Sequence, residues 1–164
     1  MERTLKYEGK AKRIYEIAGD DNSYVQEFKD DATAFNGIKK DQIKGKGAIN
    51  NIVSAALFEY LEKSGIPTHY LKTLSDNEML VKRVSILKLE VVCRNIAAGS
   101  LVKKYGLKEG ETLKFPVIEF YLKSDELGDP LLTESHIYAF NIARLQEVDI
   151  LKSLTAKING LLKS

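Results

Sequence analysis

Short segments of strand character, each closed by a turn signal, recur along this 164-residue chain and limit its fold more than any other feature. Leu5–Glu8 and Ala11–Ile17 flank a Gly9-Lys10 turn, and Tyr24–Lys29 follows the polar stretch Ala18–Ser23. The pattern returns after Pro67. His69–Leu74 and Glu78–Val84 are separated by Ser75-Asp76-Asn77, and Leu87–Asn95 and Val117–Leu122 follow. Hairpins in succession, with helices inserted between them, predict an α+β fold rather than a doubly wound one. In the second segment Ala11, Arg13 and Tyr15 alternate with Lys12, Ile14 and Glu16. Neither face is purely apolar, so that strand has a polar task or lies at an edge.

Helical spacing appears in three places. Ala48–Lys63 carries Ile49, Ile52, Val53, Ala56, Tyr60 and Leu61 on one stripe, with Gly65 as the stop and Pro67 beyond it. Ala97–Ser100 reads as a turn into a short helix, Leu101–Tyr105, closed by Gly106. Asn141–Lys163 is the strongest helix, with Ile142, Leu145, Val148, Leu151, Leu154, Ile158 and Leu161 at three- to four-residue intervals. Such a stripe must be buried against something. Asp30–Gly47 has no clear period and reads as a long loop of the kind that is often functional. Ser124–Thr133 reads as a polar loop.

Composition narrows the chemistry. The length fits one domain or two small lobes, and 44% hydrophobic with 29% charged residues excludes global disorder. A single cysteine excludes an intrachain disulfide framework and a cysteine zinc finger. His69 and His136 are far apart, with no Ser or Cys partner that suggests a triad, so any metal is expected on oxygen ligands, which suits Mg²⁺. A net charge of +2, from 25 basic and 23 acidic residues, is too balanced to indicate a nucleic-acid partner. There is no apolar leader and no run of about 18 apolar residues for a membrane span, so a cytoplasmic setting is expected.

Several groups have the chemistry of anion contacts, each beside a plainer reading. Gly9-Lys10-Ala11-Lys12 offers close backbone approach and two cations, or is a solvated hairpin tip. Gly45-Lys46-Gly47 fits neither phosphate-loop template; it receives an anion at a helix start, or is a flexible loop. Lys82 alternates with Leu80 and Val84, which favours an inward side chain in need of an anionic partner. Arg94, Asn95, Gly99 and Ser100 form the densest polar group on an apolar background: an anion site, or a structural arginine beside a serine cap. Asp125, Glu126 and Asp129 suit Mg²⁺ or simply solubility. From these features alone a phosphate-bearing ligand is plausible, and no reaction follows.

The motifs together resemble one family. Tyr7-Glu-Gly-Lys-Ala-Lys-Arg-Ile-Tyr15, Asn50-Asn51, Gly65-Ile-Pro-Thr68, Leu80-Val-Lys82, Val92-Cys-Arg-Asn95, Ala97-Ala-Gly-Ser-Leu-Val102, Leu122-Lys-Ser-Asp125 and Asp129-Pro130 stand in order. The chain resembles the phosphoribosylaminoimidazole-succinocarboxamide synthase (SAICAR synthetase) family from about residue 4 to its end. Arg94–Val102 is the most specific segment.

That resemblance implies an ATP-dependent carbon–nitrogen ligase of de novo purine synthesis. It joins carboxyaminoimidazole ribonucleotide (CAIR) to L-aspartate with ATP and Mg²⁺. It implies an antiparallel N-terminal ATP-binding lobe at 1–84 and an incomplete α+β substrate and ATP lobe at 85–164, with a kinase-like or ATP-grasp-like nucleotide cleft. By the same resemblance Lys10, Ala11 and Lys12 contact ATP phosphates, Val81 and Lys82 line the cleft, and Lys123 lies near the nucleotide. Lys10, Lys12 and Lys123 are then the catalytic cations. Arg94, Gly99 and Ser100 bind CAIR, Asp129 lies at the metal or at CAIR, and the Asn36–Lys46 segment closes over the substrates. Family members continue further, with a metal-binding glutamate, an Asp-Glu-x-Ser-Pro-Asp-like segment and substrate-binding arginines that this sequence does not contain. The expectation is therefore a shortened chain of weak or no activity, with an uncovered last helix that favours self-association into a homo-oligomer. The competing expectation is a non-catalytic nucleotide-binding module or pseudoenzyme.

Overall fold

The computed structural model describes residues 2–34 and 39–163. They form two compact units, Met1–Ser85 and Ile86–Ser164. The first contains β1 (Arg3–Glu8), β2 (Lys12–Ile17), β3 (Asp20–Phe28), β4 (Asp31–Ala34), β5 (Lys39–Gln42), α1 (Lys46–Lys63), β6 (Tyr70–Thr73) and β7 (Glu78–Lys82). Five of these strands make an antiparallel sheet in the order β1-β2-β3-β7-β6, and β4 and β5 pair separately. The turn after β2 is tighter than the polar stretch suggested: Ala18-Gly19 alone, with Gly19 at φ 78°, after which β3 starts at Asp20. The Asp20 carboxylate then accepts from the Asn22 N–H at 2.8 Å and from the Ser23 hydroxyl, which consumes the polar residues inside the strand.

The segment expected as an aperiodic loop is a hairpin. Asp31 pairs with Gln42 and Ala32 with Asp41 across β4 and β5. A two-stranded ribbon of mostly polar residues buries no continuous face, so no alternation announces it. The expected closing segment Asn36–Lys46 begins, at 36–38, outside the described residues.

Helix α1 buries the opposite face from its apolar stripe. Gly47, Asn51 and Ala55 are buried, and Phe58 packs with Tyr24 against the cluster of Phe28, Ala55, Tyr70, Met79 and Val81. Ile49, Ile52, Val53, Leu57 and Tyr60 are exposed. Small residues let the helix lie close on the sheet. A Cβ at Gly47 would stand 2.5 Å from the Phe28 carbonyl oxygen, which is backbone and cannot swing aside. Gly47→Ala is therefore expected to destabilise by about 1–3 kcal/mol, although alanine favours helix. A urea midpoint that stays level or rises would show that helix and strand can separate without loss.

The second unit contains β8 (Leu89–Ile96), α2 (Ser100–Tyr105), β9 (Thr112–Leu122), β10 (Leu131–Leu132), α3 (Glu134–Ala139) and α4 (Leu145–Lys163). Its sheet runs β10-β9-β8, antiparallel, over a core of Leu89, Phe120, Leu132, Ile137, Ala143 and Val148. The last helix starts later than its pattern suggests. Asn141 sits at φ 53°, outside the helical region, and the residues before it form α3. Thr133 caps α3: its hydroxyl accepts from the His136 N–H at 3.3 Å, while His136 Nδ1 accepts from the Thr133 N–H at 3.2 Å. In α4 only Val148 is fully buried, and Leu145, Ile150 and Leu162 are more than half exposed. Asn159 ties α4 to β8 through two amide hydrogen bonds with Asn95, at 2.7 and 3.1 Å. Among the described residues no helix is long and apolar enough to cross a membrane.

Candidate functional site

Lys10, Ala11 and Lys12 occupy the β1–β2 turn and the start of β2. The turn is closed by the Gly9 N–H donating to the Lys12 carbonyl at 2.9 Å, and the Lys29 N–H donates to the Ala11 carbonyl at 2.9 Å. The Lys12 ammonium lies 5.2 Å from the centre of the Phe28 ring, on the face of the sheet that α1 covers. Val81 is a core residue on that same face, paired with Tyr24 of β3. Lys82 is not. Met79 and Val81 turn inward, so Lys82, Leu80 and Val84 take the other face; Lys82 is exposed and its ammonium donates to the Thr68 carbonyl at 3.0 Å. The alternation was correct in period and inverted in sign, because the covered face of β7 is chosen by α1 rather than by the strand.

His69 packs edge-on against Phe58 at 5.0 Å, half-buried. Burial, reinforced by the charges of Lys12 and Lys82, holds its imidazole below the usual histidine range. A group whose folded-state value is depressed contributes stability above its unfolded value and loses it as the pH falls. Unfolding free energy is thus expected to decline below about pH 6.5, and His69→Gln to flatten that decline. An unchanged slope in the variant would assign the decline to other groups.

Around the turn the structure brings together residues that sequence reading passed over. Glu8 accepts from the Arg13 Nε at 3.2 Å and from the Lys29 ammonium at 2.6 Å, and Glu27 accepts from the Tyr15 hydroxyl at 2.7 Å. Nothing in the sequence marks them, since each is an ordinary charged residue in a strand. Of the two readings of Gly45-Lys46-Gly47, a flexible loop or an anion at the helix start, the structure has the second, and the chain itself supplies the anion. The Asp30 carboxylate accepts from the Gly45 N–H at 3.1 Å and the Gly47 N–H at 2.8 Å, capping α1, and those bonds hold it below the usual carboxylate range.

In the second unit Arg94 and Ser100 do meet. The Arg94 guanidinium donates through Nε to Glu119 at 2.6 Å and through Nη2 to the Ser100 hydroxyl at 3.2 Å, with the Tyr121 hydroxyl at 3.5 Å. Tyr121 also donates to Glu119 at 3.0 Å. Glu119 and Tyr121 hold the guanidinium proton more firmly than usual. Gly99 precedes α2 at φ 56° and ψ −124°, a backbone that side-chain-bearing residues rarely adopt. Beside this cluster a cleft of 480 Å³ is lined by Glu119 and by apolar residues including Leu101, Tyr105, Leu113 and Val117. Glu119 is the residue sequence reading missed. It sits two positions from Tyr121 on a strand read only as Val117–Leu122.

Lys123 and Asp129 share the loop after β9. Lys123 is exposed, with its N–H on the Lys88 carbonyl, and the Asp129 carboxylate accepts from the Ser124 N–H at 2.9 Å. Among the described residues no three His, Cys, Asp or Glu side chains converge on a possible metal position.

The geometry can be set beside known proteins. A family model described as SAICAR synthetase matches residues 5–164. The phosphoribosylaminoimidazole-succinocarboxamide synthase of Caldanaerobacter subterraneus subsp. tengcongensis is 55% identical over 160 residues, covering 98% of this chain and 68% of that protein. The crystal structure of the Ehrlichia chaffeensis enzyme of the same name matches with a TM-score of 0.93 and 43% identity, over 97% of this chain and 67% of that one. A SAICAR synthetase in complex with ADP matches with a TM-score of 0.90 and 43% identity, over 96% of this chain and 66% of its own. The chain spans about two thirds of the length of these relatives.

Proposed function

The chain belongs to the SAICAR synthetase family, and from that premise we propose that it carries the nucleotide-binding and CAIR-binding share of an ATP-dependent, cytoplasmic ligase of purine synthesis. The observation that carries this reading is the match over 96% of the chain to a family structure that holds ADP.

A carboxylate acylates poorly, so the reaction needs activation. ATP transfers its terminal phosphoryl group to the CAIR carboxylate, giving an acyl phosphate and ADP. The aspartate amine attacks the acyl carbon, phosphate departs, and an amide remains. Positioning and charge neutralisation carry most of such a reaction. In this chain Lys10 and Lys12 neutralise nucleotide phosphate, with Ala11 between them offering backbone at the turn. Val81 and Lys82 are proposed for the nucleotide cleft and Lys123 for the nucleotide's vicinity. Arg94, held by Glu119, keeps donors for an anionic substrate group together with Ser100, and Gly99 lets the backbone approach.

Mg²⁺ usually takes one or two carboxylates, waters and the nucleotide's own phosphates. Asp129 is the carboxylate proposed for it here. Among the described residues it joins no group of three or more His, Cys, Asp or Glu side chains that could hold a metal.

Titration with ADP tests the reading. Binding that weakens roughly tenfold or more in Lys12→Ala, a loss of about 1.4 kcal/mol, supports it. His69 supplies a second readout. Phosphate charge at Lys12 offsets part of what depresses the imidazole, so its NMR titration should move to higher pH with ADP. An ADP-insensitive His69 together with equal affinities would remove the turn from the site. Turnover of ATP, CAIR and aspartate then separates a ligase from a nucleotide-binding module.

A further inference from the structure

Lys29 has more partners than its place in the sequence suggests. It follows β3, where the chain leaves the sheet. Its ammonium reaches Glu8 at 2.6 Å, Asp31 at 2.6 Å and the Gly9 carbonyl at 3.4 Å, and its side chain is only 10% exposed. Three N–H donors meet three acceptors, so the ammonium is saturated. Glu8 ends β1, Gly9 opens the turn to β2, and Asp31 begins β4. Arg13 braces Glu8 from β2, and the Gln42 amide donates to Asp31 at 3.2 Å, which carries the connection across to β5. The Lys29 N–H adds a backbone bond to Ala11.

We propose that Lys29 is a positioning residue that locks the Gly9–Lys12 turn to the β4–β5 hairpin, so that the two segments move as one body. Exposed ion pairs contribute little, but a lysine this enclosed has already lost most of its rotamer freedom and is held by charge on both sides. Lys29 in turn holds the Glu8 and Asp31 carboxylates below their ordinary range, and they hold its ammonium above its own. The consequence for nucleotide binding rests on the reading of Lys10 and Lys12 given above: seating phosphate on the turn would then order the hairpin as well.

Amide hydrogen exchange on the full chain tests this without any ligand. In Lys29→Met the Gly9 N–H and the hairpin amides of β4 and β5 should exchange faster together, by roughly tenfold or more, while the Met79 and Val81 amides of β7 keep their rates. Lys29→Arg should restore both segments. Asp31→Ala removes the acceptors for Lys29 and Gln42 at the hairpin end alone, and should loosen the hairpin while leaving Gly9 protected. The proposal is overturned if only one segment loosens in Lys29→Met, if neither does, or if β7 loosens equally, which would mean a general structural role. With ADP, the wild type should gain protection in both segments and Lys29→Met in the turn alone. If ADP protects nothing in the wild type, the nucleotide reading of the turn fails, and the ligand-free comparison still decides the role of Lys29.

Discussion

Alanine at Asn51 is expected to lower the free energy of unfolding by about 3 kcal/mol, read from the urea transition by circular dichroism. Asn51 is fully buried on α1, and its amide nitrogen donates to the carbonyls of Ser75 at 2.9 Å, Asp76 at 3.0 Å and Glu78 at 3.3 Å. It fastens the β6–β7 turn to the helix. Glu78 keeps the N–H groups of Leu74 and Ser75 as donors, so truncation strands two carbonyls rather than three. Ser75 and Asp76 are exposed residues, so each carbonyl left behind costs about 1 kcal/mol, the lower end for an unsatisfied group, and the cavity left at the buried Asn51 position supplies the rest. One term opposes this, since the Asn51 Oδ1 is itself buried without a partner and its removal relieves that loss. Asn51→Asp keeps the shape but turns oxygen toward carbonyls, and should be at least as damaging. A well-tolerated aspartate would refute the hydrogen-bond account and leave only packing.

Glu119→Ala should cost a similar amount, about 3 kcal/mol, the lower end for removing one partner of a buried ion pair. The lower end applies because Arg94 is 22% exposed whereas Glu119 is 9% exposed, so water reaches part of the abandoned guanidinium. Glu119→Gln retains an acceptor for Arg94 Nε and for the Tyr121 hydroxyl, and should lose only about 1 kcal/mol. With Arg94 in the proposed CAIR site, the alanine variant also releases the guanidinium from its aim and should weaken CAIR binding. The glutamine variant should bind CAIR nearly as the wild type does. If the two variants are equally stable and bind CAIR equally, Glu119 does not hold Arg94 in place.

Much of this protein was legible without coordinates. Hairpins at Gly9-Lys10 and Ser75–Asn77, the stop at Gly65 and the short helix ending at Gly106 follow from turn and cap chemistry, which is local and acts wherever the residues occur. So does the α+β class, and the pairing of Arg94 with Ser100 was available from their proximity in a specific motif. What sequence reading could not reach is which side of each element meets another. Glycine, asparagine and alanine, not the isoleucines, face the sheet from α1, because close approach to the Phe28 carbonyl excludes larger groups. That choice sets the inward face of β7 and sends Lys82 outward. The polar β4–β5 hairpin, the Asp30 cap on α1, the grip of Lys29 on two segments and the Glu119 brace on Arg94 all join residues distant in the chain or silent in pattern. Such partnerships depend on where the backbone carries each charge, and only the tertiary structure decides that.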